Sequence, residues 1–116
     1  MIKAFPVNKR SEAELLCSRY GIKYQENDDI LSYKITEDNV DTGICIFSIN
    51  TNEARILDIG TQSDELSLIL LRATLLFCSM HGAKLAHFKQ DPELDHSILT
   101  KLGFTLENGI YSVCLN

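Results

Sequence analysis

The chain is predicted to form a single α+β domain over residues 1–116, with a mixed central β-sheet and helices on both faces of that sheet. Segments with the period of a strand and segments with the period of a helix follow each other in the order β-α-β-β-β-α-β-α-β-β. Strands and helices that alternate in this way form layered α+β or α/β domains. With 116 residues, 45% of them apolar, the chain is long enough to bury one core.

The stretch Glu53–Gly82 organises this order. An apolar run, Ala54–Ile59, leads through a polar turn, Gly60–Ser63, into a helix that is apolar almost all the way round. We expect this helix to be buried on every side, because it has no polar face to turn towards water. Arg72 interrupts the helix, and its apolar run falls short of the roughly 18 residues that a membrane span needs, so no membrane partner is predicted.

The N-terminal part is predicted to contain a strand, a short helix and an antiparallel meander. Ile2–Val7 is the strand. Ser11 and Glu14 have the spacing of a capping box that starts the helix, and Gly21 is a suitable residue to end it. Three strand segments joined by short turns then predict the meander, over residues 31–36, 43–49 and 53–59.

The C-terminal part is predicted to add a parallel strand and a hairpin. Lys84–Lys89 follows the central helix, so we expect it to lie parallel to residues 53–59 with a right-handed crossover. Asn108–Gly109 is a strong signal for a two-residue hairpin turn between the last two strands.

A last helix lies between the parallel strand and the hairpin. Asp91 is the expected N-cap and Pro92 the expected first helical residue. Gly103 is expected to end the helix, and Phe104 to fold back onto it in the apolar contact that accompanies such ends.

Charge and cysteine content exclude several classes of function. The formal net charge is −5 and no basic cluster is visible, which argues against a nucleic-acid partner. The N-terminus lacks the apolar stretch of a signal peptide, so we expect a cytoplasmic protein. The four cysteines are widely spaced and include no CxxC, so buried reduced thiols are expected and no metal site is predicted.

The element order, together with Lys101–Leu102–Gly103–Phe104 after the parallel strand, resembles the GNAT superfamily of N-acetyltransferases. The resemblance covers most of the chain and is best from Glu53 to Phe104. It implies an acyl-CoA N-acyltransferase-like sheet and the transfer of an acetyl group from acetyl-CoA to an amine. It also implies that the turn before the central helix wraps the pyrophosphate of the acyl-CoA.

That family turn has the pattern (Gln/Arg)-x-x-Gly-x-(Gly/Ala), which corresponds here to Gln62–Ser67. Gln62 fits the first position and Ser67 is small, but Glu65 replaces the middle glycine, and the segment before Gln62 is about two residues shorter than in the family. The resemblance implies the acyl-CoA contacts Ile59, Gln62, Ser63, Asp64, Glu65, Leu66 and Ser67.

The same residues have a purely structural interpretation. Ser63 can cap the helix, and Asp64 and Glu65 complement the helix dipole. Their charges would also repel a diphosphate, by about 1 kcal/mol in water for unit charges 4 Å apart. Whether the turn binds a phosphate or only caps its own helix stays open at this point.

Acetylation of an amine requires a base for the ammonium proton and an acid for the departing thiolate. On the resemblance, Glu53 and Asp58 are the available carboxylates on the strand before the turn, and Asp58 is the candidate base because it lies nearer the carboxyl end of the strand, with a solvated strand carboxylate as the alternative. Leu99 occupies the position of the family's acid, a tyrosine. Tyr111 on the final hairpin is the candidate substitute and His87 a further option, with a half-buried strand tyrosine as the structural alternative for Tyr111.

Three hypotheses follow. In the first, the chain is a small N-acetyltransferase for a small-molecule or peptide amine. In the second, it is a non-catalytic module of the same fold that no longer binds acyl-CoA, and it forms a homodimer through exposed strands or the final hairpin. In the third, it is an unrelated α+β domain, which would lack parallel pairing between residues 53–59 and 84–89.

Overall fold

The computed structural model describes residues 1–24, 29–89 and 92–115. In these ranges seven strands and three helices occur in the predicted order: β1 (Ile2–Pro6), α1 (Arg10–Arg19), β2 (Leu31–Glu37), β3 (Val40–Asn50), β4 (Glu53–Thr61), α2 (Asp64–Met80), β5 (Leu85–Phe88), α3 (His96–Lys101), β6 (Thr105–Glu107) and β7 (Ile110–Cys114).

All seven strands belong to one mixed sheet with the order β1-β2-β3-β4-β5-β7-β6. β1 to β4 pair with one another in antiparallel order, and the pairing of β2, β3 and β4 confirms the predicted meander. β4 and β5 are parallel, with Ala54 opposite Ala86, so the hypothesis of an unrelated domain without this pairing is wrong. β7 then lies between β5 and β6 and is antiparallel to both.

The helices cover the two faces of the sheet unequally. α2 and α3 lie on one face, where Leu70, Leu71 and Leu99 pack on Phe47 and Ile56 in the larger core cluster. α1 lies on the other face, where a smaller cluster contains Ala13, Leu16, Cys17, Ile22, Ile44, Ile46 and Leu57. Helices on both faces are therefore confirmed, and the face that carries α1 is the less completely covered one.

The prediction that α2 is buried on every side is wrong. Leu76 is 62% exposed and Met80 74% exposed, and Arg72 also faces solvent. A single-sheet domain of this size offers α2 one sheet face and a short neighbouring helix, so part of an apolar helix stays uncovered. Scattered apolar side chains are common on protein surfaces.

Two predicted helix starts are also wrong. α1 begins at Arg10 with Lys9 as N-cap and no side-chain capping bond, so Ser11 and Glu14 do not form a capping box. α3 begins at His96, where the Asp95 carboxylate accepts a hydrogen bond of 3.0 Å from the Ser97 N–H. Pro92 precedes this helix instead of opening it, and the predicted N-cap Asp91 lies outside the described residues.

The predicted helix end and hairpin are confirmed. Gly103 has φ +90°, and the Phe104 N–H donates to the Leu99 carbonyl at 2.9 Å, the bond that closes a Schellman motif. Asn108 and Gly109 both have positive φ, as a type I′ turn requires.

The prediction of buried reduced thiols is confirmed for Cys17, Cys45 and Cys78 and is wrong for Cys114, which is exposed on the last strand. In the part of the chain that the structure describes, no helix has the length and apolarity needed to cross a membrane.

Candidate functional site

A β-bulge in β4 determines the geometry of the site. In the pairing with β3, Phe47 is opposite Ile56 and Ile46 is opposite Asp58, so Leu57 is one extra residue. Leu57 packs in the α1 cluster together with Ile46, the partner of Asp58. Two consecutive side chains, Leu57 and Asp58, therefore point to the α1 face, which regular alternation would forbid.

β5 leaves β4 at the same place. Their register ends with Ile56 opposite Phe88, and the Lys89 N–H donates to the Ile56 carbonyl at 2.9 Å. β4 continues to Thr61 with β3 as its partner on one side. We call residues 53–56 the paired half of β4 and residues 57–61 its free half.

The backbone of Ile59 faces the gap left by β5. The Gln62 N–H donates to the Thr42 carbonyl of β3 at 3.1 Å. Because the backbone groups of alternate residues point to the same side of a strand, those of Gly60 also point towards β3, and those of Ile59 point away from it. The Ile59 N–H donates instead to Asp58 Oδ1 at 2.8 Å. No described residue outside the sheet donates to its carbonyl, which leaves an acceptor at an interior edge of the sheet.

A cleft opens beside the free half. One part has a volume of about 360 Å³ and the adjoining part about 260 Å³, and both are lined by Asp58, Ile59, Gly21 and Glu93. The further described residues that line the cleft are Tyr20, Ile22, Leu57, Gly60, Thr61, Gln62, Ser63, Asp64, Ser67, Phe88, Pro92 and Leu94. The cleft therefore runs from the gap between β4 and β5 to the N-terminus of α2.

The N-terminus of α2 satisfies part of its own backbone. The Leu66 N–H donates to the Ser63 hydroxyl at 3.2 Å, and the Ser67 N–H donates to the Ser63 carbonyl at 3.0 Å. The structural interpretation of Ser63 as N-cap is thus confirmed. Among the described residues none accepts from the N–H groups of Asp64 and Glu65, and these two donors face outward at the positive end of the helix dipole.

A hydroxyl network fastens this turn to β4. The Thr61 hydroxyl donates to the Ser63 carbonyl at 2.7 Å. Because that uses its one proton, the buried Ser67 hydroxyl is the donor in the 2.5 Å bond between the two side chains. The turn between β4 and α2 is two residues long, and these hydrogen bonds connect it and the first turn of α2 to the end of β4.

The charge in the cleft is negative. Asp58, Asp64 and Glu93 line it, and no lysine or arginine is among its described lining residues. Burial raises the pKa of Asp58 above its ordinary value, and the Glu93 charge raises this pKa further, while the hydrogen bond from the Ile59 amide opposes the shift. A carboxyl with a raised pKa is a better match for proton transfer near neutral pH than an exposed one.

Comparison with known proteins gives matches in structure and none in sequence. No family model matches the chain, and no curated protein matches it. The ribosomal-protein-S18-alanine N-acetyltransferase from Escherichia coli superposes with a TM-score of 0.77 at 13% identity, over 100% of this chain and 95% of that one. YhhK from E. coli, solved bound to coenzyme A, gives 0.69 at 16% identity over 98% of both chains. Ard1 from Thermoplasma volcanium gives 0.71 at 13% identity over 99% and 98%.

The chain has the GNAT N-acetyltransferase fold. The resemblance predicted from the sequence is confirmed for the whole described chain at the level of the fold. Identities of 13–16% extend this conclusion to architecture alone.

The GNAT fold brings together five of the seven predicted acyl-CoA contacts. Ile59, Gln62, Ser63, Asp64 and Ser67 line the cleft. Leu66 is 5% exposed and packs in the larger core, and Glu65 is exposed outside the cleft lining. The negative charge beside a bound phosphate would thus come more from Asp64 than from Glu65, the residue that replaces the family's middle glycine.

The two predicted catalytic residues lie apart. Asp58 lines the cleft, whereas Tyr111 is 9% exposed in the larger core with its hydroxyl 3.1 Å from His96 Nδ1. Leu99 is fully buried, and His87 lies on the α1 face outside the cleft. The structure therefore offers no contact between Tyr111 and the cleft, and its catalytic role stays a prediction without geometric support.

Tyr20 was missed at the level of the sequence. It lies at the end of α1 and lines the cleft, and a Cβ added at Gly60 would lie 2.6 Å from the Tyr20 Cβ. The available signal was Gly60 itself, because glycine inside a strand marks the close approach of another group. Nothing in the sequence indicated which group that is.

Proposed function

We propose that the chain is an acyl-CoA-dependent N-acetyltransferase, which transfers an acetyl group from acetyl-CoA to an amine. The observation that carries this proposal is the continuous cleft that joins the free half of β4 to the N-terminus of α2. A GNAT neighbour solved with coenzyme A supports CoA-type binding by this fold.

The cleft suits the two polar parts of an acyl-CoA. The amide-containing arm can lie along the free half of β4 as an added strand and donate to the Ile59 carbonyl. The diphosphate can accept from the outward N–H groups of Asp64 and Glu65, where the helix dipole favours negative charge. The volume of the cleft is in the range of small-molecule sites.

The acidic lining opposes this binding without excluding it. Asp64 is exposed, so its carboxylate can turn towards water while its N–H stays at the helix end. At a separation of 4 Å and an effective dielectric of 20, a unit charge would repel another by about 4 kcal/mol, and solvent screening reduces this strongly. We expect acyl-CoA to bind in the micromolar range, more weakly than a site with glycines would allow.

Acetyl-CoA would supply the activated acetyl thioester. Asp58 accepts the proton of the acceptor ammonium, so that the neutral amine can attack. We assign Tyr20, which lines the cleft, to donate a proton to the departing sulfur. Asp58 and Tyr20 come from β4 and α1, two elements that the smaller core cluster holds together.

Isothermal titration with acetyl-CoA and with free CoA tests the binding step. Wild type is expected to bind, and Asp64→Asn to bind about fivefold more tightly, since removal of one screened charge is worth about 1 kcal/mol. Glu65→Gln is the matched control, because it removes the same charge outside the cleft lining, and its affinity should stay within twofold. Absence of binding at millimolar acetyl-CoA, for wild type and Asp64→Asn alike, would overturn the proposal.

A screen of small-molecule and peptide amines tests the chemical step. Asp58→Asn is expected to lower turnover by about 10²–10⁴-fold, the usual contribution of a general base, with unchanged acetyl-CoA affinity. Tyr20→Phe should lower turnover, whereas Tyr111→Phe should leave it unchanged apart from any loss of stability. The reverse ranking of these two variants would reject the assignment of Tyr20.

One observation favours a second candidate, a non-catalytic GNAT-fold module. The Thr61–Ser63–Ser67 network satisfies part of the turn without a ligand and leaves the N–H groups of Asp64 and Glu65 to solvent. Such a module would pair with a second copy through an edge strand such as β6, where Leu106 is 55% exposed. Dimers on size-exclusion chromatography, together with no acetyl-CoA binding, would support it.

A further inference from the structure

A second cavity opens on the α1 face of the sheet, next to the cleft. It has a volume of about 290 Å³ and shares Leu57 with the cleft. We call it the groove. Its lining residues are Asp29, Ile30, Ser48, Ile49, Asn50, Glu53, Arg55, Leu57, His87 and Lys89. Most of these side chains are polar, although strands of a parallel pair such as β4 and β5 are usually apolar on both faces.

Strand register places the basic residues of the groove side by side. Ser48 is opposite Arg55 and Arg55 is opposite His87, so the guanidinium and the imidazole project from neighbouring strands. Lys89 follows directly after β5, level with Leu57, where the gap between β4 and β5 begins. The basic residues thus occupy the side of the groove that meets the cleft.

These cations are available to a ligand. Among the described residues none forms an ion pair with Arg55 or Lys89, and both side chains are exposed. The carboxylates of the groove lie further from the gap: Glu53 is two residues before Arg55, about 7 Å along the strand. Asp29 lies on the β2 side. The side of the groove that meets the acidic cleft therefore carries two cations, while the two carboxylates of the groove lie on its other sides.

An acceptor that fits both surfaces carries an ammonium and, at a fixed distance, an anion. Lys89 lies opposite Leu57 on the neighbouring strand, and Arg55 lies three residues before Asp58. An amine beside Asp58 and an anion held by Arg55 and Lys89 would therefore be about 5–10 Å apart. One residue of extended chain spans about 3.5 Å, so a carboxylate on the second or third residue of a peptide reaches the groove. The α-carboxylate of a free amino acid lies too close to its own amine, whereas the side-chain carboxylate of free glutamate reaches the same range, so free glutamate is the small-molecule alternative to a peptide acceptor.

We propose that the groove binds an acidic side chain at the second or third residue of a peptide whose N-terminal amine is the acetyl acceptor. This proposal rests on the proposed function and specifies its substrate class. Arg55 and Lys89 hold the carboxylate, while the amine lies beside Asp58. Acceptors with lysine or arginine at these positions are repelled.

The test compares three peptide amides: Ala-Asp-Glu-Ala, Ala-Asn-Gln-Ala and Ala-Lys-Lys-Ala, with free glutamate as a fourth probe. The acidic peptide is expected to have the lowest KM, about tenfold below the neutral one if each exposed cation contributes its usual small share. The double variant Arg55→Gln/Lys89→Gln should abolish this preference with kcat kept within twofold. Lys84→Gln, an exposed lysine outside the groove, should leave the preference intact.

Peptide titration in the absence of acetyl-CoA separates this proposal from the proposed function. If acetyl-CoA fails to bind while wild type still prefers the acidic peptide and the double variant does not, the proposed function fails and the groove stands. Equal affinity of wild type for the acidic and neutral peptides overturns the groove. Equal losses in the double variant and Lys84→Gln, or a preference for free glutamate, overturn it as well.

Discussion

The two halves of β4 belong to one strand and have different surroundings. In the paired half, Ala54 and Ile56 are fully buried between β3 and β5 and under α2. In the free half, Asp58 and Ile59 are half-buried, and among the described residues the strand pairs with β3 and no longer with β5. One extra residue, Leu57, separates the two environments.

The difference shows how one strand can contribute both to the core and to the wall of an open cleft. In the paired half the backbone groups bond to β3 and β5 and the side chains of Ala54 and Ile56 pack in the core, so only the side chains on the α1 face, Glu53 and Arg55, are open to a ligand. The free half retains an acceptor at Ile59 and turns Asp58 towards α1. The bulge leaves one residue of β4 without a partner in β3, and it places a carboxyl group with a raised pKa in an open cleft.

Proline substitution gives the largest contrast between the halves. Ala54 shares the direction of Ile56 and donates its N–H towards β5, so Ala54→Pro should cost about 3 kcal/mol or more of unfolding free energy. Ile59→Pro removes an N–H that donates to the Asp58 side chain, and water can replace this donor. The loss of unfolding free energy should therefore be at least about 1 kcal/mol smaller than for Ala54→Pro. Urea denaturation followed by circular dichroism measures both.

If the two proline variants lose equal stability, the free half is not an interior edge. A matched pair of alanine variants then separates backbone from side-chain effects. Ile56→Ala should cost about 2–5 kcal/mol because Ile56 is fully buried, and Ile59→Ala clearly less.

The hydroxyl network at the end of the free half gives an intermediate effect. Thr61→Val removes the acceptor of the Ser67 hydroxyl and the donor to the Ser63 carbonyl, in a site where Ser67 is 3% exposed. We expect a loss of about 1–2 kcal/mol, the cost of polar groups left without partners. Thr105→Val on an exposed edge strand is the control and should change stability by less than about 0.5 kcal/mol. Equal effects would show that the network does not hold the turn.

Local patterns predicted most of the fold. The order of strands and helices, the Asn108–Gly109 turn and the Ser63 cap depend on residues close together in the sequence, and the structure confirms them, whereas the predicted starts of α1 and α3 and the complete burial of α2 are wrong. The parallel pairing of β4 and β5 followed from the connecting helix, because crossovers of this kind place two strands side by side.

The site was harder to predict, because it depends on contacts between distant segments. The bulge at Leu57 lies inside the apolar run Ala54–Ile59, where an extra residue leaves no mark in the pattern. Tyr20 reaches the cleft because α1 packs on β4, and Arg55 meets His87 through register alone. Asp58 was predicted as a candidate base from its place near the strand end, whereas its position in the cleft follows from the bulge.

The smallest expected effect is the pH dependence of Asp58. Burial raises its pKa in the folded chain, so the folded state binds this proton more tightly than the unfolded state. The resulting contribution to stability is complete below the unfolded pKa and is lost as the pH rises through the folded one. Near pH 7 the ionised carboxylate therefore weakens the fold.

Asp58→Asn should accordingly have a higher free energy of unfolding than wild type at pH 7. The gain should be less than about 1 kcal/mol, because the group is partly solvated. The amide oxygen can still accept from the Ile59 N–H, which keeps the turn geometry. The gain should shrink as the pH falls towards 4, and Glu65→Gln corrects for the change in net charge. If Asp58→Asn is less stable than wild type at pH 7, the charged hydrogen bond between the Asp58 carboxylate and the Ile59 N–H stabilises the fold by more than burial of the charge costs. Asp58 would then have a structural role.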